Sequence, residues 1–339
     1  MAKEGVIHYR TERLDRGIKV RADDIFALSS YREIFYLLGP RVLPVAALLI
    51  LPFLLNIYWT KVILISCIIA MLALSWDLIA SAGMVSLGQA LFYGLGAYIT
   101  GGLNHYFGLP IFITIPVAAL SGGFISTLLL LPVLRLRGIY FSMITFVLPL
   151  MSIRIVEATG IFGGIEGLSG LSPFPNRWVE VYLAIGALLV CLFSFRRLVN
   201  TDYGLVFKGI RDNDRAAMSS GANIYRYKAE ALLLGSTAAA FAGALMTHVY
   251  RFAGMPSFAL DLSLLPLASA VVGGIGTFAG TTLGAFILVP ISEALRAFGT
   301  LRIVFYCFML VIFVVGLPEG IFHYIQRKYH QFERLVKIE

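Results

Sequence analysis

The stretch VLPVAALLILPFLLNIY, residues 42–58, is apolar on every face, and residues 303–317 are built the same way. A membrane β-strand alternates polarity over about ten residues, so these runs exclude a barrel. Read as helices rising 1.5 Å per residue, segments of about 17 to 25 such residues cover a hydrocarbon core roughly 30 Å thick. Composition agrees. The 339-residue chain is 59% hydrophobic and 14% charged, against about 45–50% apolar and about 25% charged usage in soluble domains. The fold class expected is an all-α integral membrane protein, a polytopic helical bundle.

Working outward, the other hydrophobic segments are 62–80, 85–106, 109–134, 138–156, 179–195, 229–249, 258–272 and 277–298. Gly, Ser, Thr or a carboxylate dilutes the third, eighth and ninth, which marks them as candidates for re-entrant or broken helices. The expected number of crossings is therefore about ten, within a range of about eight to ten.

Loop charge sets the orientation, because Lys and Arg accumulate in short cytoplasmic loops. Most of the 27 basic residues fall in four clusters: residues 1–41, Arg135 with Arg137, the polar stretch 196–228, and Arg327, Lys328, Arg334 and Lys337. All four lie on one side if ten segments cross. The division expected is a basic cytoplasmic N-terminal extension over 1–41, a transmembrane domain over 42–317 with a cytoplasmic loop at 196–228, and a basic cytoplasmic tail over 318–339. The first 41 residues mix both charge signs and lack a short apolar run with a small-residue cleavage site, so a removable signal peptide is not expected. A net charge of +8 placed beside membrane spans is lipid-facing charge, and no nucleic-acid partner is expected.

Cys67, Cys191 and Cys307 sit singly inside apolar segments and read as small buried residues. The opposite side carries one sizeable loop, 157–178, where Gly163, Gly164 and Gly167 surround the lone Glu166. Those glycines permit unusual backbone angles and close approach to another surface. The loop is either a mere connection or a contact for an external partner. Residues 83–101 and 271–289 share a faint similarity, placing Gly88 on Gly276 and Leu95-Gly96-Ala97 on Leu283-Gly284-Ala285.

Within 196–228, Asp212-Asn213-Asp214 suits the start of a short helix through Arg215, Ala216, Ala217 and Met218, and Gly221 suits a left-handed end. Such a helix has almost no apolar face. Its small alanines admit a partner backbone, while Arg211, Asp214 and Arg215 offer charge, which favours docking over a simple solvated loop. The run from Gly204 to Ala217, Gly-Leu-Val-Phe-Lys-Gly-Ile-Arg-Asp-Asn-Asp-Arg-Ala-Ala, with Gly221 and Tyr227-Lys228 after it, resembles the coupling loop of the branched-chain amino acid ABC importer permeases. Other stretches agree in order: Ser86-Leu87-Gly88-Gln89, Arg137-Gly138-Ile139-Tyr140-Phe141, the run 163–170 and Gly273-Gly274-Ile275-Gly276-Thr277.

The resemblance implies one transmembrane subunit of an ATP-driven importer in a bacterial-type inner membrane. Its implied partners are a second related permease, two cytoplasmic ABC ATPase subunits that bind the ATP and Mg, and an extracytoplasmic substrate-binding protein. It implies that Arg211, Asp212, Asp214, Arg215, Ala216, Ala217 and Gly221 form the ATPase-coupling loop, with Arg215 where importers generally carry Glu. The implied substrate is a branched-chain amino acid, and permeases for urea or short amides look similar.

No Gly-rich stretch ends in Gly-Lys-Ser or Gly-Lys-Thr, so the chain shows no nucleotide site of its own. Its five histidines are scattered, no metal-ligand pair stands at helical spacing, and no catalytic site is visible. Ser86, Gln89, Gly273, Gly274 and Gly276 carry two competing readings, close helix packing or the lining of a translocation path. Asp77, Arg154, Asp261 and Glu293 lie in or near spans and each needs water or a partner, Asp77 being the deepest candidate for a paired structural charge. The rival function is an autonomous ion-coupled secondary transporter.

Overall fold

A computed structural model describes residues 31–136, 138–299, 301, 304, 308, 311–312, 315–316 and 320–333. The chain forms two units, Met1–Leu51 and Pro52–Glu339. Helix α1 (Tyr31–Leu54) occupies much of the first. The second is a helical bundle whose described sheet is one two-residue bridge. Most of the N-terminal extension, Arg137, Cys307, most of residues 303–317 and the last tail residues lie outside the described residues.

Helix α2 (Ile57–Ser81) is the axis of the bundle and is buried almost throughout. The apolar run 42–58 does not continue as one helix, because α1 stops at Leu54 and Asn56 turns extended (φ −64°, ψ 163°) to cap α2. The Asn56 carbonyl accepts both the N–H and the hydroxyl of Thr60, each at 3.0 Å. An extended backbone at one residue thus divides a segment that hydropathy merges.

After α2 the chain turns at Gly83 and runs non-helically to Gly88 before α3 (Gln89–Phe107) begins. Helices α4 (Ile111–Leu130), α5 (Ile139–Thr159) and α6 (Arg177–Val199) follow. The polar stretch folds as α7 (Asp202–Asp212) and α8 (Asp214–Ser219), and α9 (Ile224–Tyr250) then returns through the bundle. Spanning helix therefore takes both ends of the sequence-read loop 196–228. Helices α10 (Asp261–Gly273) and α11 (Phe278–Ala294) form a hairpin, and α12 (Gly320–Glu333) closes the described chain.

Helices α3, α4 and α9 pack closely because small residues meet: the space for a Cβ on Gly122 lies 3.0 Å from the Ala240 Cβ and 3.3 Å from the Gly96 nitrogen. A Cβ on Gly96 would strike the Ala240 carbonyl, and one on Gly243 the Tyr93 carbonyl. This is how helices associate in lipid, where apolar burial alone gives little preference.

Among the described residues six helices are long and apolar enough to cross a membrane. That is fewer than the segments read from the sequence. The glycine-diluted third segment is the largely buried α3, the ninth is the shorter α11, and the tenth falls mostly outside the described residues. Helix α10 rises only about 20 Å and cannot cross a core of roughly 30 Å alone, but the 3₁₀ turn Met255–Phe258 lengthens its run.

The spans' charges find partners. Arg154 pairs with Glu157 at 2.7 Å on an exposed face, Glu293 pairs with Arg296 at 2.8 Å, and Asp77 accepts two hydrogen bonds while fully buried. Cys67 is buried and Cys191 half-buried.

Candidate functional site

The α7–α8 surface is built at one end of the bundle. Phe207 and Ile210 bury one face of α7, and Phe207 meets the Tyr227 ring at 6.5 Å, which seats α7 against the start of α9. Asn213 then leaves the helical region and caps α8: its side-chain oxygen accepts the N–H groups of Arg215 at 3.0 Å and Ala216 at 3.2 Å. The other end closes at Gly221, whose φ of +86° would strain any residue with a Cβ. Its N–H reaches the Met218 carbonyl at 3.0 Å, and that of Ala222 the Ala217 carbonyl at 3.2 Å.

Helix α8 has no fully buried residue. Arg211, Asp212, Arg215, Ala216 and Met218 are exposed, and Ala217 is half-buried. Asp214 points inward, where its carboxylate meets the Lys228 ammonium at 3.0 Å. Charge facing outward thus comes from Arg211, Asp212 and Arg215.

Arg211 also touches the interior. Its Cα is 3.1 Å from the space a Cβ on Gly83 would fill, and its Nη1 is 3.7 Å from the equivalent space on Gly276. The turn Gly274–Gly276 between α10 and α11 therefore sits beside the α7–α8 surface. Gly273 packs against the Gly280 carbonyl.

Ser86 lies where the backbone is non-helical inside the bundle, and Gln89 opens α3 just after it. Side chains satisfy that backbone almost group by group. The Trp76 indole donates to the Ser86 carbonyl at 2.7 Å, and the Ser142 hydroxyl to the Val85 carbonyl at 2.6 Å. Leu87 N–H donates to Thr145 at 3.0 Å, and Ala90 N–H to Ser263 at 3.0 Å. Irregular backbone persists at membrane depth only when buried in protein or lining a cavity. Gln89 accepts from Ser75 at 3.2 Å, whereas its amide nitrogen is buried without a partner among the described residues.

At the far end, the glycine loop is pinned down. Strand β1 (Leu168–Ser169) pairs antiparallel with β2 (Phe252–Ala253), and Leu168, Leu171 and Ala253 form a small core with Phe162 against it. A Cβ on Gly167 would be 2.6 Å from the Ala253 carbonyl. Gly164 is buried, while Gly163 and Glu166 are exposed. Asn104 and His248 anchor the same loop, Asn104 accepting the Ser172 N–H at 2.9 Å and His248 lying 2.9 Å from both the Ser172 carbonyl and the Thr114 hydroxyl. Sequence reading missed these tethers, although a polar residue at each span end was the available signal.

A bundle of membrane-length helices with buried irregular backbone in its interior and a solvent-facing, self-capped helix at one end defines a multi-pass helical membrane protein. Residues 58–317 match the family described as branched-chain amino acid transport system / permease component, and the chain belongs to it. It is 28% identical over 325 residues to the high-affinity branched-chain amino acid transport system permease protein LivM of Escherichia coli, covering 86% of this chain and 76% of that one. The Salmonella typhimurium protein of the same name is 29% identical, over 71% of this chain and 64% of its own. A probable branched-chain amino acid transport permease protein LivM of Methanocaldococcus jannaschii is 25% identical, over 64% and 69%. No solved structure matches the chain.

Proposed function

We propose that this chain is the permease subunit of an ATP-binding-cassette importer that carries a branched-chain amino acid into the cytoplasm, with ATP and Mg bound by partner ATPases and no cofactor on the chain itself. The observation that carries the reading is α8: it exposes Arg215 and Ala216 beside half-buried Ala217, and Asn213 and Gly221 close its ends without help from a partner. A helix this short costs nucleation energy in isolation, and its outward face of small and charged residues leaves room for a partner's groove.

The remaining assignments follow from that docking. The α7–α8 end faces the cytoplasm with both termini, in a bacterial-type inner membrane. Two ATPase subunits dock there and at a second, related permease in a heterodimer. The opposite end, with Gly163, Gly164, Glu166 and Gly167, receives an extracytoplasmic binding protein. Ser86, Gln89, Gly273, Gly274 and Gly276 border the path, joined to α7 through Arg211. ATP binding shifts inward and outward states because the ATPase contacts the two states differently.

The test is purification from the native membrane in mild detergent, followed by reconstitution. Co-purifying ATPases and a second permease, with ATP-dependent uptake of leucine, isoleucine or valine, are expected. Uptake by the chain alone under an ion gradient would establish the ion-coupled carrier instead, and uptake of urea or short amides in place of amino acids would move the substrate.

A further inference from the structure

The ion pair between Lys228 and Asp214 crosses from the short surface helix to the long spanning one. Its N–O distance is 3.0 Å, and the two side chains are only 6% and 18% exposed. Lys228 lies one turn into α9, and Asp214 opens α8. The pair borders a cleft whose other walls include Gly83, Val85, Gly138 and Phe141. Val85 belongs to the irregular segment whose carbonyl Ser142 holds, and Phe141 to the first turn of α5. This buried charge contact therefore lies beside both the Val85 segment and the start of α5. Among the described residues, the exposed pairs Arg154 with Glu157 and Arg226 with Glu230 each join residues within one helix.

We propose that Lys228 is the positioning residue that makes α8 and α9 move as one body, so that displacement of α8 is delivered to α9 and the Val85 segment rather than absorbed by the 220–223 turn. This rests on α8 being the ATPase-docking helix. The surrounding geometry favours a rigid link. Tyr227, the neighbour of Lys228, packs edge-on against Tyr203 at 5.7 Å and also against Phe207, so α7 is fixed to the same turn of α9. Helix α9 then meets α3 at Gly243 and Gly96 with backbone in contact, which leaves little slack along its length. Either single substitution removes the Lys228–Asp214 contact, so the link fails in both variants.

The experiment compares Lys228→Met, Asp214→Asn and Lys228→Arg in the full chain. Hydrogen exchange of the α8 amides is read first, on the chain in membranes without added partners. Lys228→Met and Asp214→Asn are expected to speed α8 exchange by about tenfold or more, with Lys228→Arg close to the parent, because a freed short helix opens locally. In the assembled importer, the same two variants are expected to hydrolyse several times more ATP per amino acid moved. Unchanged α8 exchange in both overturns the proposal. So does faster exchange with an unchanged ratio of ATP to solute, since the pair is then a local staple only. Should Lys228→Met fail to insert, Asp214→Asn carries the comparison. If the unsubstituted chain neither binds ATPases nor moves amino acids, the importer reading falls while the exchange result still decides whether the pair fixes α8.

Discussion

The carboxylate of Asp77 accepts the backbone N–H of Gly276 at 2.7 Å, across 199 positions of chain. Its second oxygen accepts the Thr281 hydroxyl at 2.8 Å. A charge buried in the axis of the bundle therefore holds the turn between α10 and α11, and the Arg211 guanidinium lies on that same turn. The contact joins the α7–α8 surface to the interior through one backbone N–H.

Asp77→Ala strands the buried Thr281 hydroxyl, whereas the N–H of the exposed Gly276 can turn to water. An unpaired buried donor costs about 1–3 kcal/mol, so the alanine variant should lose about 1–3 kcal/mol of stability. Asp77→Asn keeps an acceptor for Gly276 and can receive or donate at Thr281, and should lose less than half as much. Thermal unfolding of the detergent-solubilised protein, followed by gel filtration, ranks the two. Equal losses would show that charge, and not hydrogen bonding, sets the contribution of Asp77.

Gly276 has φ of +81°, and the space for its Cβ is free of backbone. Gly276→Ala should therefore cost backbone strain alone, roughly 1–2 kcal/mol. Gly186 provides the contrast: it is exposed, lies inside α6, and a Cβ there meets nothing within 4 Å. Gly186→Ala should raise stability by about 0.5–1 kcal/mol. The same unfolding assay reads both signs.

Which parts were legible follows from the range of each interaction. The apolar spans and the short helix ending at Gly221 depend on neighbours a few residues apart, and sequence shows them. The break at Asn56 was missed because one polar residue hardly dents the hydropathy of its surroundings. The early start of α9 was missed because Tyr225, Tyr227 and Lys228 read as polar loop, although the Tyr227 ring packs against α7 and Lys228 pairs with Asp214 of α8. Asp214 read as an outward charge, since nothing local reveals that the chain folds back to bring Lys228 beneath it. The β1–β2 bridge is two residues long on each side and has no periodicity to detect.

Asn213→Ala should unravel the start of α8. Loss of an N-cap costs about 1 kcal/mol, and a helix of six residues has little stability to spare. Faster amide exchange over 214–219 is expected, with uptake reduced in proportion to the fraction opened. Asn213→Asp and Asn213→Ser, which retain a capping oxygen, should restore both. Uptake that stays normal while α8 frays would separate the helix from transport.

Ala217→Glu and Gly221→Pro attack the same helix from outside and from its end. The first puts a bulky charge on a half-buried face. The second cannot adopt φ near +86° and removes the N–H that reaches Met218. Both variants should insert normally in the membrane, because neither residue belongs to a spanning helix, yet both should lose ATPase association and uptake. Undiminished co-purification and uptake in both would remove α8 from the docking surface.

Gln89 poses the last question, because its two amide atoms differ. The oxygen is paired with Ser75, while the nitrogen is fully buried with no partner among the described residues. An unsatisfied donor of this kind costs stability, and removing it offsets the loss of the bond that the oxygen accepts from Ser75. Gln89→Ala is accordingly expected to unfold close to the parent temperature. If the missing partner of the nitrogen is the transported solute, the same variant should raise the half-saturating concentration for uptake about tenfold, the scale of one lost hydrogen bond, with ATPase assembly intact. A variant that transports normally and unfolds earlier would instead make Gln89 a packing residue between α2 and α3, and would shift the search for the path toward the Val85 segment and the exposed face of α5.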